Sequence, residues 1–242
     1  VARVCIETRS AREEAGTRLV VEGGVQRSLA SCGRAPGTTI EVRDLFFNTP
    51  ARRKFLRHDS TEQRHTVRAV VQLAAARPEA GLQLVEDDRQ VLDLLPGTPR
   101  SRAAELMGVD AQTLLELDRA EGGVRVTGYL APADRPPSAA QGSQFVIVRG
   151  RPVYARSIAH AVTAGYGGLL ASDSQAAFLL WLELDPALLD VNVHPTKREV
   201  RFADERAIAE AVEAAVRGAI RGPAAPRWGR GVGEGDRQGG AS

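Results

Sequence analysis

Arg52, Arg53 and Lys54 follow Thr49-Pro50 with one residue between. Thr49 suits a helix N-cap and Pro50 the first helical position, where its missing N–H costs nothing. Three cations in a first turn oppose the helix dipole, at roughly 0.3–1 kcal/mol each. Helix stability alone would not choose them. A helix N-terminus carrying extra cations is instead suited to an anion, such as a nucleotide phosphate or a DNA backbone. The plainer alternative is a solvated basic face whose alkyl stems cover apolar surface.

A second stretch, Leu189 to Phe202, places Asp190, Asn192, His194 and Pro195 between two extended segments. These residue types make a rigid turn, and the turn presents Lys197 near its tip. An ammonium on a flexible stem is a compact point charge that can reach a terminal phosphate. An ordinary exposed loop lysine would read the same way. Composition singles out both stretches. Of 32 basic residues only Lys54 and Lys197 are lysine, and Asn48 and Asn192 are the only asparagines.

Other chemistries find little support. Among His58, His65, His160 and His194 no pair has ligand spacing with a carboxylate, so no metal site is expected. No motif positions a Ser/His/Asp set, and there is no G-x-x-x-x-G-K-[ST]. Cys5 and Cys32 cannot build a disulfide framework, which fits a reducing, cytoplasmic setting. No apolar run reaches the ~18 residues a membrane span needs. The net charge of +2 names no partner, so any nucleic-acid contact must come from a local patch.

The elements that must hold these residues can be read in order. Val4 and Ile6 alternate with Arg3 and Glu7, a strand pattern already under way at the first residue. Thr17–Glu22, Val25–Ser31 and Thr38–Val42 read as strands, the first two joined by Gly23-Gly24. Ser60 with Gln63 three residues on reads as a capping box for a helix bearing Val67, Val70, Val71 and Ala74 on one face. Leu82–Val85 and Gln90–Leu95 form a strand pair. Pro96-Gly97-Thr98-Pro99 reads as the boundary between lobes. Beyond it come a helix over Arg102–Met107, strands at Leu114–Leu117, Val124–Leu130, Phe145–Val148 and Phe178–Leu184, and a helix over Ser157–Ala164. Asp204 then caps a last helix whose Ile208, Val212, Val216 and Ile220 form an apolar stripe. From Gly222 onward glycine and proline leave little to bury, as in a flexible linker.

The stretches GTTIEVRDLFFNTPARRKFLR and DVNVHPTKREVRF, with Phe145 to Pro152 between them, closely resemble the MutL family of DNA mismatch repair proteins. The resemblance covers roughly residues 1–222. It implies an α+β fold: part of the ATPase-lobe sheet of the gyrase/Hsp90/histidine-kinase/MutL superfamily, then a transducer domain with a left-handed β-α-β crossover. It implies residues 1–97 as the C-terminal half of the ATP-binding domain, 98–221 as the transducer and 222–242 as linker. Gly37 and Thr38 match the superfamily's Gly-Thr motif, whose threonine sits beside adenine and its aspartate partner. Lys197 matches the transducer lysine that touches the γ-phosphate, and Asn192 a motif asparagine that holds its loop. Arg151 and Arg156 fall where the family offers a basic groove to DNA, with Arg52, Arg53 and Lys54 as further DNA candidates.

ATP and Mg²⁺ are the implied cofactors of the intact protein. The implied partners are DNA, a mismatch-recognition protein and a second copy of itself. The family's water-activating glutamate, Mg²⁺-holding asparagine, adenine-reading aspartate and glycine-rich lid have no counterpart in these residues. This chain alone is therefore not expected to hydrolyse ATP. Position 149 is Arg where the family usually has Asn. The competing readings are a non-enzymatic nucleic-acid-binding module built on the transducer fold, a type II topoisomerase subunit, and an interaction domain with no ligand.

Overall fold

The structure is a computed structural model, and it describes residues 1–133, 143–171, 174–185, 189–190 and 201–222. The chain forms two compact units, divided between Gln63 and Arg64. The expected lobe boundary at 97/98 therefore lies inside the second unit. The reason is packing: Val71, Ala74 and Leu92, all before that boundary, share one buried cluster with Met107, Phe145 and Leu179.

The first unit is a four-stranded antiparallel sheet of β1 (Arg3–Arg9), β2 (Gly16–Glu22), β3 (Val25–Cys32) and β4 (Gly37–Arg43), in the order β3-β2-β1-β4. Registers Val4↔Val42, Ile6↔Ile40, Ile6↔Leu19 and Leu19↔Leu29 bring the apolar residues to one face. The other face carries the charges, with Arg18 near Glu7 and Arg3 near Glu22. The apolar face is open: Leu29 and Ile40 are each 62% exposed and Val42 56%. This agrees with the expected partial lobe sheet.

Residues after β4 tie back onto the sheet. The Phe46 N–H donates to the Val1 carbonyl over 2.6 Å. Arg3 pairs with Asp44 at 2.6 Å and lies over the Phe47 ring. Gly23 has φ +61, and the Asn48 amide nitrogen stands 2.8 Å from where a Cβ on Gly23 would be. The hairpin turn and the asparagine of the first motif stretch are thus fitted to each other.

The second unit holds a five-stranded sheet, ordered β10-β9-β11-β8-β7. Its strands are β7 (Leu115–Glu121), β8 (Val124–Leu130), β9 (Gln144–Val148), β10 (Arg151–Val153) and β11 (Phe178–Leu184). β9 and β11 are parallel neighbours joined through β10 and a helix, the β-α-β crossover expected from the resemblance. Helices α4 (Arg156–Tyr166) and α5 (Glu205–Arg221) cover one face, burying Ile158, Val162, Val212 and Val216 against Val126, Val146 and Leu180. α2 (Asp59–Ala76), α3 (Pro99–Met107) and the hairpin β5 (Leu82–Glu86)–β6 (Arg89–Leu94) cover the other, against Phe145, Ile147 and Leu179. Short strands β12 (Leu189–Asp190) and β13 (Arg201–Phe202) pair before α5.

Local signals explain most termini. The Asp204 side chain accepts from the Ala207 N–H at 2.9 Å, so α5 has the expected cap. Its stripe is buried through Val216, with Ile220 packed at the margin. α3 starts earlier than expected because Thr98 and Ser101 form a reciprocal capping box ahead of Pro99. α2 starts at Asp59, so Ser60 lies within the first turn rather than at the cap.

Candidate functional site

The residues singled out by sequence fall in two places, one in each unit. In the first unit, Gly37 opens β4 with φ +131, a conformation that side chains rarely adopt. Thr38 follows, exposed, and pairs in register with Thr8 of β1. The two hydroxyl oxygens are 2.8 Å apart, and the Thr8 hydroxyl also donates to the Gly37 carbonyl at 3.4 Å. Polar groups therefore gather at one end of the otherwise apolar face, against Thr17 and Ser31 of neighbouring strands. Hydroxyls and an exposed strand end beside aliphatic side chains suit a flat heterocycle with polar edges. The Gly-Thr pair is thus compatible with a nucleotide base.

The Arg52–Lys54 argument needs correction. α1 (Pro50–Arg53) is a single turn, and Lys54 is its C-cap. Arg52 and Arg53 sit in its last turn, where cations are favourable, and so short a helix has little dipole. Thr49 makes no side-chain cap, and its hydroxyl is buried without a partner. The helix-N-terminus anion site therefore does not form. What remains is an exposed basic segment. Among the described residues none of Arg52, Arg53 or Lys54 has an ion-pair partner, and the adjacent Phe55 is 84% exposed.

In the second unit, Arg151 opens edge strand β10 and Arg156 opens α4. Between them stands Tyr154, 48% exposed. The Arg156 guanidinium lies over its ring at 5.9 Å, and the Arg156 Nε–H donates to its hydroxyl at 3.4 Å. Arg68, from α2, lies over the same ring, also at 5.9 Å. The Arg77 guanidinium is 3.6 Å from where a Cβ on Gly150 would stand. Arg149 and Gly150, with φ 50 and 74, form the two-residue turn from β9 to β10. Such turns require positive φ at both central positions and favour Asn-Gly. The turn forms with Arg in the first place, which adds a cation there.

Arg68 and Arg156 thus meet at exposed Tyr154, while Arg77 stands near the Arg149-Gly150 turn that leads into Arg151. Stacked guanidiniums are weakly hydrated, planar and pre-oriented for phosphate oxygens. Sequence reasoning found Arg151 and Arg156. It missed Arg68, Arg77 and Tyr154, because no spacing links α2 to β10. Basic residues near an exposed aromatic were the only available signal.

Lys197, Asn192 and His194 lie outside the described residues, as does the segment from 223 onward. Among the described residues, no group of three His, Cys, Asp or Glu side chains could hold a metal ion. No helix there is long and apolar enough to cross a membrane.

Comparison with known proteins adds to this geometry. Residues 104–221 match the family described as DNA mismatch repair protein, C-terminal domain. The DNA mismatch repair protein MutL of Anaeromyxobacter sp. (strain K) is 42% identical over 242 residues, covering 98% of this chain and 40% of that protein. The chain thus spans about two fifths of the length of such relatives. The ATPase domain of Aquifex aeolicus MutL superposes with a TM-score of 0.66 at 25% identity, over 89% of this chain and 76% of that one. The same domain complexed with ADP gives 0.62 at 26% identity, over 77% and 69%.

Proposed function

The chain belongs to the MutL family of DNA mismatch repair proteins, and on that premise we propose that it forms the nucleotide-responsive, DNA-contacting part of a larger repair protein. The observation that carries the DNA half is the region around Tyr154, where Arg68 and Arg156 frame one aromatic ring, with Arg77 near the adjoining Arg149-Gly150 turn and Arg151 at the start of the edge strand. It offers guanidiniums to phosphates and a ring edge to a base, with no groove-reading element. Binding there is electrostatic and indifferent to sequence. Relatives named for mismatch repair do not favour a stand-alone nucleic-acid module.

The nucleotide half rests on Thr38 and Gly37, which hold a base edge in this reading, and on Lys197, whose ammonium meets the terminal phosphate. ADP is held by a similar ATPase domain, and ATP is the nucleotide proposed for the intact protein. ATP supplies the phosphoanhydride whose hydrolysis resets the protein. This chain's residues orient the base and neutralise terminal charge. Mg²⁺ is proposed for the intact protein together with ATP. Domain assignment follows the same premise: an ATPase-lobe part first, a transducer next, a linker from 222. Contact with a mismatch-recognition protein and self-association of the intact protein complete the proposal.

The DNA half is tested by titrating the 242-residue chain with a short duplex across a salt series. Affinity should fall with a log–log slope of about −0.9 per phosphate contacted. Arg151→Glu and Arg156→Glu should weaken binding to unrelated sequences equally. Salt-independent binding, or full affinity in both variants, would remove this region from the DNA surface. In the intact protein, Lys197→Ala should slow ATP hydrolysis by about 10²-fold, as loss of one positioned charge-stabilising donor does elsewhere. An unchanged rate would remove Lys197 from the site.

A further inference from the structure

Tyr154 belongs to no motif, yet arginines from two helices meet on it. Arg68 comes from α2 and Arg156 is the first residue of α4, and all three side chains are exposed. The two helices lie on opposite faces of the five-stranded sheet, so side chains from both can meet only at its edge, and β10 is that edge. Each arginine stands beside a buried anchor. Val71, about one helical turn beyond Arg68, is buried with Phe145 and Ile147 of β9. Ile158, two residues after Arg156, is buried with Val153 of β10. The contacts on the ring are well defined in kind. The Arg156 Nε–H donates to the phenol oxygen at 3.4 Å, and a guanidinium has no acceptor, so this bond runs one way only. Both guanidinium carbons lie 5.9 Å from the ring centroid, so the two cations are at most twice that distance apart. Like charges held this close repel. Among the described residues no ion pair neutralises Arg68. The negative face of the ring offsets part of the repulsion, and a phosphate between the two guanidiniums would offset more.

We infer that Tyr154 is a positioning residue: its ring holds Arg68 and Arg156 as one clamp, so that α2 and α4 grip the same stretch of nucleic-acid backbone from either side of the sheet edge. This rests on the DNA reading given above and deepens it, because one aromatic side chain then sets how many phosphates are engaged. A long arginine side chain loses rotamer freedom when it binds a phosphate. Stacking on Tyr154 removes that freedom before the DNA arrives, which is the general route by which preorganisation raises affinity.

The test titrates the 242-residue chain with a short duplex, and with a single strand of the same length, across a salt series. Tyr154→Leu keeps an apolar side chain but removes the ring and the hydroxyl. It should weaken duplex binding about five- to tenfold, in line with two lost cation–ring contacts. The log–log salt slope should become shallower by up to about 1.8, for two phosphate contacts. Tyr154→Phe keeps the ring and should retain the parent slope. Arg68→Ala should weaken binding in the parent and cost nothing further in Tyr154→Leu, since Arg68 acts through the ring. A parent slope in Tyr154→Leu would overturn the inference. So would an equal cost of Arg68→Ala with leucine or tyrosine at position 154. Loss of single-strand binding with duplex binding intact would overturn it too, because it would make the ring a stacking platform for bases. A thermal melt of Tyr154→Leu checks that the fold persists, and Tyr154→Phe with Arg68→Ala decides the matter if it does not: a shallower slope in Tyr154→Phe, or no effect of Arg68→Ala, sinks the clamp. Arg151→Glu and Arg156→Glu separate the two readings. If they weaken binding while Tyr154→Leu does not, only the positioning role fails. If all three bind as the parent does, the DNA reading fails with it.

Discussion

The Tyr166 hydroxyl donates to the Ala131 carbonyl over 2.7 Å, with both residues buried. The bond joins the end of α4 to the chain just past β8, 35 residues earlier. Ala131 also donates its N–H to the Ala177 carbonyl ahead of β11. Tyr166 therefore completes the hydrogen bonding of a buried backbone segment between two central strands.

Burial pushes the Tyr166 phenol well above its ordinary value near 10. A group with a raised folded pKa contributes its stability fully below the unfolded value, and loses it as pH rises from there toward the folded value. Melting should therefore become steeply pH-dependent above about pH 10. Tyr166→Phe should abolish that part of the alkaline slope and cost about 1–2 kcal/mol at neutral pH, since the Ala131 carbonyl loses its partner. Chemical denaturation at pH 8 and pH 11 checks both effects. An unaltered alkaline slope in the variant would place the effect elsewhere.

Arg102 is buried, and its guanidinium donates to the carbonyls of Pro78, Ala80 and Leu95 and to Glu105. One side chain thus clips the α2–β5 connection and the end of β6 onto α3. Arg102→Met keeps the length but strands those carbonyls. Urea unfolding should show a loss of roughly 2–4 kcal/mol.

α4 and α5 cross where Gly165 faces Val216. A Cβ added to Gly165 would lie 2.6 Å from the Val216 Cβ and 3.1 Å from the Glu213 carbonyl oxygen. Neither neighbour is a flexible tip. Gly165→Ala should cost about 1–3 kcal/mol despite alanine's higher helix preference. Differential scanning calorimetry on the variant and the parent chain decides the matter.

Arg149 holds φ 50 in a turn that favours Asn. Arg149→Asn should raise stability by about 0.5–1 kcal/mol while lowering DNA affinity modestly, through loss of one cation. A thermal melt and a salt titration would register opposite signs. Agreement in sign would mean that the turn is not strained by arginine.

The open face of the first unit carries Leu29, Ile40 and Val42, all more than half exposed. Contiguous apolar surface of this kind binds hydrophobic dyes and favours association. The 242-residue chain should enhance ANS fluorescence at neutral pH without denaturant. Ile40→Thr with Leu29→Thr should diminish that signal while leaving the far-UV circular dichroism spectrum unchanged.

Much was written locally in the chain. Val124–Leu130 and Phe178–Leu184 are strands over the residues expected, because each packs at least one unbroken apolar face between turn residues. The Gly23-Gly24 turn and the Asp204 cap depend on neighbours a few positions away, and so do the buried residues of α5. The family motifs are local too, which is why kinship was legible at once.

Tertiary structure decided the rest. β10 is only three residues with a proline inside, and it exists because β9 offers it an edge. α1 ends after one turn although Pro50 begins it well. Residues 64–97 group with the second unit because their apolar side chains meet Phe145 and Leu179. The pairing of Thr8 with Thr38, and of Arg68 with Tyr154, brings together residues 30 and 86 positions apart. Periodicity and capping act within a few residues of one another. Register between distant strands, and the company a side chain keeps across a sheet edge, follow from the burial of whole faces, which no short stretch of sequence contains.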